Sequence, residues 1–449
     1  EAMALAESLL AEAEAVGYAP LEIYARVQVG GLAGALGELD RAEAILSEVF
    51  VDAGALGLDE VAVDAANRLI FTVGYSAARH REGVVWSRAA EMLVRRLGQA
   101  DEPRGATVLN SVANIYFALG EYERSQALFE EALAINQRVL GPEHPIVGDN
   151  LTNLADVHYA RGEYDRAQEL YERSLEISAE ALGEVHPSRG YAMNNLANVH
   201  LAHGELDRAS ALLERVLTVF AAAYGADHPE LANPTNNLAN VRRRRGELEA
   251  ARDGYSRAVA LLEAAFGAEH LALATPLDNL GFAHLLLGDA AAAEPLFTRA
   301  LTIREASLGA SRPEVAEALL HRARARIAAA AWTGAAADLE RAQAIREAAA
   351  EEGRAAGVAE VIALRGEVEL GEGREAAGRA RLERAIEALG DGGSASSRGA
   401  ARFALARSLA ATDPARARAL AQEAAAIYGE ALEERRALAE VEAWLKRQG

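Results

Sequence analysis

His144, His186, His228 and His270 stand 42 residues apart, and His158, His200 and His284 fall on a second frame of the same period. Imidazole is both a metal ligand and an acid–base group, so the spacing decides which chemistry is open to it. One ion needs its nitrogens within about 2.1 Å. Equivalent positions of neighbouring helical repeats lie at least one helix apart, roughly 8–10 Å. Neither set can share a metal. The first set is expected to cap the junctions between repeats, and the second to pack where Tyr116 stands in an earlier copy. Paired carboxylates such as Glu121, Glu123, Glu130 and Glu131 fall on exposed helical positions, where solvation and i, i+4 pairing account for them. The stretch GEGREAAG from Gly371 lacks the GK[ST] ending and the preceding strand of a phosphate loop. GxSxG, HRD, DFG and VAIK are all missing. No catalytic residue, metal or cofactor is expected.

Two side-chain types remain that suit recognition of another chain. Asparagine carries amide donors and an acceptor, which match a peptide backbone. It is an indifferent helix former, so rows of it inside helices cost stability unless they are bonded. Arginine's planar fork donates two parallel hydrogen bonds to a carboxylate. VRRRRGE puts Arg242, Arg243, Arg244 and Arg245 side by side in a chain whose 46 Lys and Arg face 67 Asp and Glu, a formal charge of −21. That charge excludes a general nucleic-acid binder, which needs a net basic footprint.

The elements that carry these residues repeat. GEYERSQALFEEALAI begins at Gly120, and its copies begin at Gly162, Gly204, Gly246 and Gly288, each 42 residues after the last. Degenerate copies continue at Ala330, Gly371 and Thr412, and run backwards to Ala78 and Gly37. About ten units cover the chain, which predicts an all-α solenoid of antiparallel helix pairs rather than a set of globular domains. In each unit the glycine ends a first helix. Small residues then allow close backbone approach (Ser125, Ala167, Ala209, Ala251, Ala293), and large ones follow four positions on (Phe129, Tyr171, Leu213, Tyr255, Phe297). Gly141, Gly183 and Gly225 stop the second helix, and Pro145, Pro187 and Pro229 open the next first helix. Pro234 and Pro276 lie further inside and are expected to delay or kink their helices. The frame divides the chain into degenerate repeats over 1–102, regular ones over 103–310, and degenerate ones over 311–449. A loop is expected from Gly390, and Leu438, Val441 and Trp444 mark a capping helix at the end.

Hydrophobic residues are 51% of the sequence and charged ones 25%, enough to bury a large core. The absence of cysteine excludes disulfides, thiol nucleophiles and Cys-based metal sites, and agrees with a cytoplasmic location. No run of 18 apolar residues and no signal-peptide pattern is visible, so membrane insertion is not expected. The opening EAMALAESLLAEAEAV reads as the middle of a helical pattern, as if the chain were part of something longer.

NLADVHYARGEYDRA from Asn153 and NLANVHLAHGELDRA from Asn195, with LGPEHP, LGEVHP and YGADHP, resemble the tetratricopeptide repeat in its kinesin light chain form. The resemblance covers 103–310 and fades outside it, where HRARARIA puts Arg322 in place of a leucine. It implies a right-handed superhelix whose first helices line a concave groove that binds an extended peptide. The residues implied to face that groove are Asn110, Asn114, Thr152, Asp156, Tyr159, Tyr191, Asn194, Asn198, Asn233, Asn236, Asn240, Arg243, Arg244, Asp278, Phe282 and Arg324. Asn153, Asn195, Asn237 and Asn279 recur so regularly that they are expected to hold neighbouring repeats together. The Ala- and Arg-rich end, FALARSLAATDPARARALAQEAAAIYGE, resembles the repeat arrays of large myxobacterial serine/threonine protein kinases. The function this implies is a non-enzymatic protein-interaction module reading an acidic segment, as the regulatory array of a larger bacterial signalling protein. The alternative is an assembly scaffold that uses its convex face or ends for self-association.

Overall fold

The computed structural model describes residues 2–76, 79–183, 186–351, 357–390, 392 and 394–448. Ala78, where one copy of the frame was expected to begin, lies outside them, as do Asp391 and Gly393 of the loop from Gly390. Among the described residues there is no strand, and the protein is 85% helical. The chain falls into two compact units, Glu1–Gly204 and Glu205–Gly449.

The first unit opens with α1 (Ala2–Val16) and continues in pairs: α2 (Ala19–Ala35) with α3 (Leu39–Ala55), and α4 (Asp59–Leu69) with α5 (His80–Arg96). Next come α6 (Pro103–Ala118) with α7 (Tyr122–Leu140), α8 (Pro145–Ala160) with α9 (Tyr164–Leu182), and then α10 (Arg189–Ala202). The second unit begins with α11 (Leu206–Tyr224), followed by α12 (Ala232–Arg244) with α13 (Leu248–Phe266) and α14 (Ala274–Leu287) with α15 (Ala290–Leu308). It goes on through α16 (Pro313–Ala328) with α17 (Trp332–Glu351), α18 (Val358–Gly371) with α19 (Glu375–Leu389), and α20 (Ala395–Leu409) with α21 (Pro414–Gly429). It ends in α22 (Arg435–Gln448). Even-numbered helices from α2 to α20 are the first members of the repeats.

The turn between paired helices follows from one left-handed residue. Gly246, with φ +76°, lets the Glu247 amide reach back 2.9 Å to the Arg242 carbonyl, closing the end of α12 in a Schellman arrangement. Ala330 occupies the same place after α16 with φ +56°, among the described residues the one non-glycine held there, and the Ala331 amide still bonds to Arg326 at 2.8 Å. The packing frame holds as the spacing predicts. Phe129, Tyr171, Leu213, Tyr255 and Phe297 are each no more than 1% exposed. Beside Phe129, the buried Ser125 hydroxyl donates to the Ala113 carbonyl across the pair at 2.9 Å.

The junction histidines cap helices. The Nδ1 atoms of His144, His228 and His270 accept from the amides two residues on at 3.2, 3.3 and 3.2 Å, and His186 does so from Ser188 at 3.3 Å. His228 and His270 also stack on Tyr224 and Phe266, with ring centroids 4.8 and 4.7 Å apart. Pro234 and Pro276 delay their helices. Short 3-10 turns, Pro229–Leu231 and Leu271–Leu273, precede α12 and α14, whereas α8 starts directly at Pro145. α22 caps the second unit by burying Val441 and Trp444, with Leu438 packed beside them and Trp444 edge-on to Phe403. The frame did not foresee a π-helical turn, Ile70–Ser76, that extends α4.

Candidate functional site

The first helices of the second unit share a face. Residues of α14, α16, α18 and α20 line a cavity of about 880 Å³. Leu285, Ile327, Trp332 and Leu364 form its apolar side, and Arg324, Glu367 and Arg407 its charged side. The segment that leads into α22 completes the lining. After Gly429 a 3-10 turn, Leu432–Glu434, leads into α22 and contributes Glu433, Glu434, Arg436 and Glu440 to the lining. This segment is seated on the turn glycines of two repeats. A Cβ at Gly246 would come within 2.9 Å of the Leu432 carbonyl oxygen, and the Arg436 guanidinium fills the space a Cβ at Gly288 would need.

Arg324, Arg407 and Arg436 line the cavity, and Arg243 lies outside the lining but meets Glu433, which is part of it. Arg243 Nη1 donates to Glu433 Oε1 at 2.9 Å, joining residues 190 positions apart. Arg324 Nη2 bonds to Glu360 at 2.6 Å and Ser397 at 2.8 Å, while its buried Nε has no hydrogen-bond partner. Burial alone would raise the Glu360 carboxyl, but the charge and hydrogen bond of Arg324, with the charges of Arg346 and His321, together hold the group below its ordinary value. Glu434, 8% exposed, and Glu367 lack such a bond to arginine, and burial pushes both carboxyls up. Glu433 and Glu434 were not singled out from the sequence. The available signal was an acidic pair between a helix-ending glycine and the capping helix, in a chain with one concentrated basic cluster.

Arg324 belongs to a column of first-helix positions 42 residues apart: Asn114, Asp156, Asn198, Asn240, Phe282 and Arg324. Asn240 Oδ1 accepts from the Tyr255 hydroxyl at 2.7 Å, so this amide is fixed to its own repeat. Phe282 stands edge-on to Phe297 and His321, with centroids 5.4 and 4.5 Å away. In the first unit the Tyr171 hydroxyl and the Asn195 amide, the latter at 2.8 Å, both donate to Asp156 Oδ1. Burial nevertheless pushes the Asp156 carboxyl up to about 6. Tyr75, in the π-helical turn, is pushed up by burial and by the Asp156 charge.

The neighbouring column is mostly taken up by the repeats themselves. Asn114 donates to the Asn110 carbonyl at 3.0 Å, and the buried Asn110 Oδ1 has no partner. Thr152 shares a 2.8 Å bond with Ser174, and Asn194 donates to Asn195 at 3.3 Å. Asn233 accepts from Asn237 at 3.3 Å, Asn236 accepts from Asn279 at 2.9 Å, and Asp278 pairs with Arg304 at 2.5 Å. Asn195 and Asn279 thus reach back to the preceding repeat. Tyr159 is half-buried against Tyr164, Asn198 and Arg244 are half-buried, and Tyr191 is 49% exposed. His158 turns to Glu163 at 2.5 Å. Among the described residues no group of three His, Cys, Asp or Glu is placed to hold a metal, and no helix is long and apolar enough to cross a membrane.

The tetratricopeptide repeat model matches residues 106–180, 150–222, 188–264, 230–306 and 273–348, overlapping spans that run from 106 to 348 and take in more than half the chain. No curated protein matches. Among solved structures, the chain is similar to a Podosopora anserina putative kinesin light chain with nearly identical TPR-like repeats. That likeness has 26% identity, covers 46% of this chain and 98% of that one, and has a TM-score of 0.38. It is also similar to BtubC (BKLC) from P. vanneervenii at 24% identity, covering 53% of this chain and 94% of that one, with a TM-score of 0.44. With the tetratricopeptide repeat model matching more than half of it, the chain belongs to the tetratricopeptide repeat family, whose members are generally protein-interaction modules.

Proposed function

We propose that the chain is a cytoplasmic protein-interaction module, without catalytic activity of its own, that takes an extended acidic segment on the face of its first helices. The observation that carries this reading is the Arg243–Glu433 pair. A cation of the face already holds a carboxylate delivered from outside the repeat frame. Arg324 lines the cavity that Glu433 also lines, and its guanidinium holds the Glu360 carboxylate. Asn110, with an unbonded buried amide oxygen, and Asn114, Asp156, Tyr159, Tyr191, Asn194 and Asn198 are the corresponding contacts proposed for the first unit. Asn236, Asn240 and Arg244 are those proposed beside Arg243. The Ala- and Arg-rich end supports placement as the regulatory array of a larger bacterial signalling protein such as a serine/threonine kinase.

Fluorescence anisotropy with labelled acidic peptides tests the reading. Binding is expected to weaken with salt. Replacing Arg243 and Arg244 with alanine should cost on the order of 2–5 kcal/mol where the pairs are buried in the complex. A double variant that binds every peptide as the parent does would refute it.

A second reading, assembly through an end of the array, has its own observation. On α1, Leu5, Leu9 and Val16 are 63%, 52% and 66% exposed and lie along one stripe. Light scattering of the parent and of a Leu5→Ser, Leu9→Ser variant separates the two: a parent multimer that the variant dissolves supports self-association through this end.

A further inference from the structure

Among the described residues, Glu367 is the one carboxylate lining the second unit's cavity that is neither exposed nor bonded. Glu375 and Glu440 are exposed, Glu433 holds Arg243, and Glu434 accepts from Ser396. Glu367 stands six residues before the left-handed Gly373, as Arg324 does before Ala330, so the two are equivalent positions of successive first helices. Arg324 nevertheless turns to Glu360 and Ser397. The charges of Arg407 and Arg324 reach Glu367 without a hydrogen bond, and burial still pushes its carboxyl up. A carboxylate so placed loses water without gaining a partner, which is unfavourable unless a cation meets it. Beside it lies an apolar wall. Leu364 and Gly371 share the stripe of Glu367 on α18, and a Cβ at Gly371 would fall within 2.5 Å of the Trp332 ring. This glycine, the first of GEGREAAG, thus seats the indole on the helix backbone, where Trp332 joins Leu285, Ile327 and Leu364 in the lining. A volume of about 880 Å³, mostly apolar walls and a few polar groups are the marks of a small-molecule site.

We propose that this cavity binds a small organic cation, a primary ammonium on an apolar body, with the body against Trp332 and the ammonium donating to Glu367. An ammonium has three donors and no acceptor, which suits a carboxylate without a partner. The indole face adds a cation–π attraction. A neutral ligand would leave Glu367 unpaired. An anionic one would bring its charge towards Glu367 and Glu434, and the lining cations open to it stay in solvent: the Arg407 side chain is 53% exposed over the Phe403 ring, and Arg436 is exposed. The inference is independent of the acidic-segment reading, whose cation, Arg243, lies outside the lining.

The probes are 4-phenylbutylamine and, on the same skeleton, 4-phenylbutan-1-ol and 4-phenylbutyrate, each titrated by calorimetry into the full chain. The amine should bind about tenfold tighter than the alcohol, as one charge-assisted hydrogen bond would give, and the carboxylate should not bind measurably. Glu367→Gln, near-isosteric and checked for parental circular dichroism, should bring the amine down to the alcohol's affinity and leave the alcohol as it was. The amine should also change the tryptophan emission of the parent. Trp332→Phe should remove most of that change, because Trp86 and Trp444 are not part of the lining. Arg243→Ala should bind the amine as the parent does, which separates this site from the acidic-segment reading. The inference falls if amine and alcohol bind the parent alike, if Glu367→Gln keeps the amine's advantage or loses the alcohol as well, or if no probe binds at millimolar concentration. The acidic-segment reading stands or falls on Arg243 in each case.

Discussion

Asp156 is the one carboxylate in a column where Asn114, Asn198 and Asn240 stand in sister repeats. Its two hydrogen bonds do not offset the loss of water, and its carboxyl rises from 3.8 to about 6. The native state therefore holds this proton more tightly than the unfolded chain does. The stability this contributes is complete below the ordinary value of 3.8 and is lost as pH rises through about 6. At pH 7.5 the charged form costs on the order of 2–3 kcal/mol. Asparagine offers Tyr171 and Asn195 the same acceptor without the charge. Asp156→Asn should accordingly raise stability at pH 7.5, with the advantage over the parent shrinking as pH falls from 6 towards 4. Urea unfolding of both proteins across that range is the measurement. A pH-independent difference would mean that the carboxylate is solvated in the fold.

At the scale of the element, the turn after each first helix turns on one backbone angle. Gly120, Gly162, Gly204, Gly246 and Gly288 hold it with φ between +75° and +83°, and Ala330 holds it at +56° against the steric preference of its Cβ. Ala330→Gly should relieve that strain, partly offset by the greater freedom of glycine in the unfolded chain, for a net gain of about 0.5–1 kcal/mol. A lower urea midpoint for the variant would show that α16 and α17 dictate the turn rather than the reverse. Such signals are local, which is why the repeat frame, the histidine caps and the delayed starts of α12 and α14 were legible in the sequence. What was not legible depends on which repeats meet. The π-helical turn Ile70–Ser76 sits where the frame is degenerate, and the Asp156 charge reaches its Tyr75 from a distant part of the sequence. Likewise Asn236 and Asn240 carry amides suited to a peptide, yet a neighbouring repeat supplies Asn279 to the one and their own repeat supplies Tyr255 to the other. Residue type gave the chemistry of the amide; only packing decides who receives it.

Over the whole molecule, a repeat array is ordinarily held by contacts between nearest neighbours, so a local defect spreads by steps. Hydrogen bonds of the first unit follow that rule: Asn195 reaches Asp156 one repeat back, and Arg161 reaches Gln126. The second unit adds an exception. Arg243 at the end of α12 and Glu433 before α22 are 190 residues apart, and the Arg436 guanidinium rests on Gly288 at the end of α14. Opening α22 therefore releases α12 as well as its neighbour α21, a coupling the periodic sequence could not reveal because it lies in the one acidic turn outside the frame. Both side chains of the pair keep partial access to water, so its contribution is modest, about 1 kcal/mol, or roughly a fivefold change in the opening equilibrium. Glu433→Gln should accordingly raise amide exchange about fivefold at both the C-terminal turn of α12 and the first turns of α22, while α2 and α3 in the first unit exchange as in the parent. Hydrogen exchange read by mass spectrometry resolves these segments. Faster exchange confined to α22 would reduce the second unit to an ordinary array with a frayed cap, and unchanged exchange at both ends would remove the long-range tie altogether.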